Sequence, residues 1–160
     1  MVVFGIATNA ISYRADDMSG TGAKIDGGRW NEQGVAALYT SENRALACLE
    51  TVVHLNAGGL PLNRYLVEVT IPDNVWSARE EAEAPTLVGW DAEPASIVSI
   101  SYGTDWLRAG RSAVLVVPSA IVPEEKNILI NPDHRDSTKI VAVSIRKWTY
   151  DSRMAKPLSK

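Results

Sequence analysis

Apolar and polar positions alternate from Arg64 to Ile71. Tyr65, Val67, Val69 and Ile71 fall on one side, Leu66, Glu68 and Thr70 on the other, and Pro72 stops the run. A period of two predicts a half-buried strand. Ala113–Val117 is apolar throughout and ends at Pro118, the pattern of a central strand. Ile140–Ile145, rich in β-branched residues, predicts a third strand, and Ala37–Thr40 a short fourth. Three- and four-residue spacing predicts a helix from Glu42 to about Asn56, with Ser41 as its N-cap and Gly58-Gly59 as its stop. In that helix Ala45, Leu49, Val52 and Asn56 line one side, while Leu46, Glu50, Val53 and His54 line a neighbouring one. Glu50 therefore lies mid-helix beside core positions. Ala95–Tyr102 and Thr104–Ala109 predict two short helical pieces, broken at Gly103 and closed by Gly110. Strands interleaved with few helices predict an α/β fold of the α+β kind, not a doubly wound sheet.

No internal period and no linker divides the chain, so residues 1–160 are expected to form a single compact domain. At 160 residues, 46% of them apolar, the chain is long enough to bury one core. Sixteen Lys and Arg against nineteen Asp and Glu give a net charge of −3. That balance offers no electrostatic footprint for direct DNA binding or for an anionic membrane. Apolar runs such as Ala113–Val117 fall far short of the roughly 18 residues of a membrane span. Met1-Val2-Val3-Phe4-Gly5-Ile6 lacks the basic and long apolar regions of a signal peptide. Cys48, the single cysteine, reads as a small buried hydrophobe. Together these predict a soluble cytoplasmic protein. Five Trp and five Tyr against one Phe give aromatic rings with polar handles, suited to pockets as well as to cores.

Several familiar chemistries fail on spacing. Gly20-Thr21-Gly22-Ala23-Lys24 meets neither glycine-rich nucleotide motif, since the sixth position of G-x-G-x-x-G would be Ile25. His54, His134 and one cysteine give no zinc spacing, and no metal is expected. A Ser/His/acid hydrolase assembled from Ser119, His54 or His134 and Glu50 lacks the glycines of a nucleophile elbow. More informative is Gly27-Gly28-Arg29-Trp30-Asn31, followed by Tyr39 and then by Glu50 in an otherwise apolar helix. The two glycines admit a ligand close to the backbone, and the Arg29 fork matches phosphate geometry. Arg29 equally suits a structural carboxylate partner. Glu50 equally suits an exposed helix position or a pairing with such an arginine, Ser119 a turn after Pro118, and Tyr39 a packed strand aromatic.

The chain resembles the RES-domain family, named for an Arg, a Glu and a Ser, which comprises toxins of bacterial type II toxin–antitoxin pairs. The resemblance rests on Gly27-Gly28-Arg29-Trp30-Asn31 with Gly34, Leu38-Tyr39-Thr40-Ser41, Ala45-Leu46-Ala47 with Leu49-Glu50, and Gly103 with Trp106-Leu107. Val117-Pro118-Ser119 and Asn127 through Asn131-Pro132 to His134 complete it, in the family's order, over a core of about residues 14–153. Ser99-Ile100-Ser101-Tyr102 and Trp148-Thr149-Tyr150 depart from the pattern.

The resemblance implies a fold like that of ADP-ribosyltransferases, with a cleft that takes NAD+ as substrate and no prosthetic group. It places the name residues on Arg29, Glu50 and Ser119, with Tyr39 beside them. It also implies an antitoxin partner of the Xre type, a repressor with a helix-turn-helix domain, that blocks the site. Breaking the nicotinamide–ribose bond develops positive charge on the ribose, so a carboxylate near C1′ stabilises the transition state. Glu50 is expected in that role. Arg29 is expected at the pyrophosphate, Tyr39 as a flat wall for the nicotinamide with Trp30 as second candidate, and Ser119 as a partner of substrate or of Glu50. The expected outcome is NAD+ depletion by hydrolysis or phosphorolysis. ADP-ribosylation of a specific protein is the first alternative, and a non-catalytic binding domain the second.

Overall fold

The computed structural model describes residues 1–10, 13–53 and 61–155. Seven strands join in one sheet: β1 (Val2–Ala7), β2 (Leu38–Ser41), β3 (Arg64–Thr70), β4 (Glu80–Glu81), β5 (Val114–Pro118), β6 (Lys126–Ile130) and β7 (Val141–Trp148). Their order is β4-β5-β6-β2-β1-β3-β7, antiparallel everywhere except between β4 and β5. Four α-helices accompany them: α1 (Thr21–Asp26), α2 (Arg44–Val52), α3 (Asp73–Ser77) and α4 (Ile97–Ala109). The chain is a single mixed α/β domain with few helices, as the pattern predicts. No helix among the described residues is long and apolar enough to cross a membrane.

The two faces of the sheet bury different things. One carries a large cluster that takes Val3 from β1, Val67 and Val69 from β3, Val114 and Val116 from β5 and Ile128 and Ile130 from β6. The opposite face is divided. Leu115, Val117 and Leu129 pack with Trp30, Trp106 and Leu107 at the α4 end. Phe4, Ile6 and Leu66 pack with Ala47 and Cys48 of α2 and with Trp148 and Tyr150. Between the two clusters runs β2, whose Tyr39 and Ser41 point to this divided face by the strand's two-residue alternation. The site described below occupies that seam.

The predicted strands around Val67 and Leu115 are present with the expected faces, and all five residues of β5 are buried. Each fully buried Leu or Val there contributes on the order of 1.5–3 kcal/mol. Cys48 is buried as expected, and burial pushes its thiol up. Two expectations change. Ser41 does not cap α2. It ends β2, opposite Asn127 of β6, and the cap is Asn43, whose side-chain oxygen accepts the Leu46 N–H at 2.8 Å. The predicted last turn and stop of that helix, His54, Asn56 and Gly58-Gly59, lie outside the described residues.

The second change is at Gly103, which does not break a helix. α4 runs through it unbroken, and the glycine serves close approach instead. A Cβ there would collide with the Trp30 carbonyl oxygen and stand 2.8 Å from the Trp30 carbonyl carbon. A mid-helix glycine costs about 1 kcal/mol in propensity. Here it lets the loop that carries Arg29 rest directly on the helix backbone.

Candidate functional site

Glu50 projects from α2 onto donors that come from two other places in the chain. Its Oε1 accepts from Ser119 Oγ at 2.8 Å and from Asn127 Nδ2 at 2.5 Å. The direction of each bond is forced. Ser119 Oγ already accepts the backbone N–H groups of Ile121 and Val122, both at 3.1 Å, so its one proton is free for the carboxylate. Asn127 Oδ1 accepts the Ser41 hydroxyl at 2.7 Å, which turns the amide nitrogen toward Glu50. Ser119 is fully buried, because β5 ends at Pro118 and the chain turns at once beneath the carboxylate. The turn reading and the Glu50-partner reading of Ser119 are thus both realised by one oxygen. Glu50 itself is half-buried, and its Oε2 takes no hydrogen bond from the described residues.

About 7 Å along β2 from Ser41, two residues at strand rise, lies Tyr39. Its ring is 38% exposed while its hydroxyl is enclosed, accepting the Trp30 N–H at 3.0 Å and donating to Asn31 Oδ1 at 2.7 Å. Enclosure of that end pushes the phenol well above its usual range, so it stays protonated. Gly28 makes room for it, since a Cβ there would sit 2.6 Å from the Tyr39 hydroxyl. Asn31 is buried and spends its amide nitrogen on the carbonyls of Ala23, Glu32 and Val35, which fixes the loop.

Arg29, on the same loop, uses its fork on the segment before α4. Nη1 donates to the carbonyls of Trp90 (3.0 Å) and Ala92 (2.8 Å), and Nη2 meets Glu93 Oε2 at 3.2 Å. Trp90 in turn stacks on Trp30, with centroids 6.0 Å apart and planes 22° apart. Trp30 is 2% exposed and part of the core.

Of the residues singled out in the sequence, Glu50 and Ser119 meet directly, and Tyr39, Trp30 and Arg29 form a second group on the neighbouring loop. No bond joins Arg29 to Glu50, so the arginine pairing for Glu50 is replaced by a pairing with two neutral donors. The histidine route to Ser119 is not formed among the described residues. His134 Nδ1 accepts the Asp136 N–H at 3.1 Å and caps a short 3₁₀ turn, and His54 lies outside them. Asn127 and Ser41 are not candidate site residues on the sequence. The signal was present: Asn127 is a lone amide leading into Ile128-Leu129-Ile130, and a polar side chain in a strand beneath a helix needs a partner.

The RES domain model matches residues 3–152. Over 150 residues the chain is 63% identical to a "Prs ADP-ribosylating toxin" of Sphingobium sp. (strain YBL2), covering 93% of each chain. It is 37% identical over 145 residues to a "Toxin Res" of Photorhabdus laumondii, covering 90% of this chain and 92% of the relative. A "Toxin Res" of Yersinia enterocolitica is 35% identical over 143 residues, with 89% and 93% covered. The fold is similar to a chain in the crystal structure of the M. tuberculosis MbcT-MbcA toxin-antitoxin complex, with a TM-score of 0.56 at 15% identity, over 91% of this chain and 84% of that one. The pattern around Arg29, Glu50 and Ser119, the fold and these likenesses agree: the chain belongs to the RES-domain family of toxins.

Proposed function

We propose that this toxin cleaves the nicotinamide–ribose bond of NAD+ at Glu50 and passes the ADP-ribosyl group to a protein acceptor. The observation that carries the reading is the Glu50 carboxylate, pinned through Oε1 by Ser119 and Asn127 with Oε2 left over. As the C1′–N bond breaks, its electron pair leaves with the nicotinamide nitrogen and the ribose becomes cationic. A carboxylate already held in place stabilises that charge without reorganising at the moment of reaction. The acceptor's nucleophilic atom then adds to C1′ and gives up its proton, and Oε2 is the group to orient or receive it. Tyr39 supplies a neutral aromatic wall. Arg29 binds the pyrophosphate by exchanging the Glu93 carboxylate, an 86% exposed and therefore weak partner, for substrate oxygens.

The protein acceptor is favoured by the 63% identity to a relative named for ADP-ribosylating Prs. Water or phosphate as acceptor, with NAD+ depletion as the result, is the second reading. It is favoured by the solvent-facing half of the Glu50 carboxylate, which asks for no particular macromolecule. The partner that restrains the toxin is an antitoxin, of the helix-turn-helix Xre type by family likeness, seated over the Glu50 seam. One experiment separates these readings. Purified protein is given NAD+ with and without phosphate and with and without Prs, and nicotinamide, free ADP-ribose, its phosphorylated form and protein-bound ADP-ribose are quantified. Label on Prs in step with nicotinamide supports transfer, and free product far in excess of protein supports depletion. No nicotinamide release under any condition rejects both.

A further inference from the structure

α2 is apolar on two sides. Leu46, Ala47 and Cys48 are buried, the last two in one cluster with Ile6 and Leu66 of the sheet, which is what a surface helix requires. Ala45, Leu49 and Val53 are apolar as well, yet they are exposed, Leu49 to 37% and Val53 to 52%. Four-residue spacing sets these three in one row about 12 Å long, and Val53, the C-cap, still has helical φ and ψ. The polar residues that follow Leu49 do not screen the row. Glu50 is engaged by Ser119 and Asn127, and the Thr51 hydroxyl donates to the Cys48 carbonyl while accepting from Tyr150. α4 shows the ordinary arrangement, for its exposed positions past the first turn include Asp105 and Arg108.

The exposed row runs beside the carboxylate. Leu49 precedes Glu50, and Val53 is its neighbour one helical turn on. Ser119 Oγ, which donates to Glu50, also accepts the N–H groups of Ile121 and Val122, both half-buried. Apolar residues from two segments of the chain therefore border the one group assigned to the reaction.

Single exposed apolar residues are ordinary, whereas a continuous row of them marks a contact surface. Which protein sits there follows from the chemistry at Glu50. An inhibitor can close the seam from any side. An acceptor cannot, because its nucleophilic atom has to come within about 3–3.5 Å of a ribose carbon held at Glu50, and its surface then rests on whatever flanks that carboxylate. We infer that Ala45, Leu49 and Val53 form the docking surface for the protein acceptor, which meets them with an apolar patch next to the side chain it offers for modification. The choice of partner rests on the transfer reading proposed above.

The test is transfer of labelled ADP-ribose to Prs by the full chain, with initial rates measured against Prs at saturating NAD+ and against NAD+ at saturating Prs. Leu49→Gln combined with Val53→Gln keeps good helix formers in α2 at Leu49 and puts no charge beside Glu50. KM for Prs should rise by about tenfold, the loss typical of an interface anchor, with KM for NAD+ and the thermal midpoint unchanged. A merely structural row would move the midpoint and both KM values together, and that result overturns the docking surface. So does an unchanged KM for Prs, and weaker binding of an antitoxin or of a second copy by the same variant would then assign the row to that occupant. Should the paired variant misfold, Ala45→Arg obstructs the row by size and is held to the same outcomes. Failure of the transfer reading shows in the wild type alone, as nicotinamide released with no label on Prs. Failure of the docking surface shows as a wild type and a folded variant that label Prs alike.

Discussion

The Glu50 cluster and the Arg29 loop are both built around one charge, and they are built in opposite ways. Glu50 is gripped by neutral donors from β6 and the turn after β5, and the β6 donor, Asn127, is itself oriented by Ser41 of β2. Arg29 is gripped by acceptors from a single short stretch, Trp90 to Glu93, and the one carboxylate it pairs with, Glu93, is 86% exposed. In the proposed reaction, the first arrangement fixes the reacting group. The second holds a cation in a form that substrate oxygens can take over, since carbonyls and an exposed carboxylate imitate what a diphosphate offers.

The sharpest test of that contrast is Glu50→Ala. Nicotinamide release from NAD+ should fall by about 10²–10³, the usual loss for one preorganised electrostatic group, in a protein that still folds. Turnover retained in a folded variant would remove Glu50 from the chemistry. Next in size is Gly103→Ala, which strikes the loop side alone. The new methyl must displace the Trp30 backbone, and overpacking of this kind costs about 1–3 kcal/mol, read as a lower midpoint in thermal denaturation. An unchanged midpoint would mean the loop yields freely.

Asn127→Ala should lower kcat by about tenfold and also cost about 1–2 kcal/mol of stability, because it strips one donor from Glu50 and orphans the Ser41 hydroxyl. A purely structural asparagine would move stability and leave kcat alone. Smallest is Glu93→Gln, worth less than about 1 kcal/mol in stability because the pair is exposed and both carbonyl bonds to Arg29 remain. If the Glu93 carboxylate competes with substrate, this variant should lower KM for NAD+ slightly, and a raised KM would reverse that role.

What could be read in the sequence divides along physical lines. Periodicity located β3 and β5 with their faces, because burial on one or both sides writes a pattern into consecutive residues. It does not reveal β6, which begins Lys126-Asn127 and leaves only three apolar positions, or β1, where Gly5 interrupts a short apolar run. From sequence Gly103 reads as a helix breaker, since the neighbour that requires it, Trp30, is more than seventy positions away. The same distance hides the site. Glu50 is separated from Ser119 by 69 positions and from Asn127 by 77, and no local pattern draws the three together. Asn127 and Ser41 answer to neither periodicity nor motif, because their role exists only once two strands lie in register.

The stack of Trp90 on Trp30 gives the molecule a built-in optical gauge. Indole emission depends on what surrounds the ring, and this pair joins a buried tryptophan of the Arg29 loop to one carried by the very segment that Arg29 holds. Any ligand that draws Arg29 away from Trp90 and Ala92 should change that emission without a dye or a tag. A titration of unmodified protein can then follow the handover of the arginine in real time, ahead of any product.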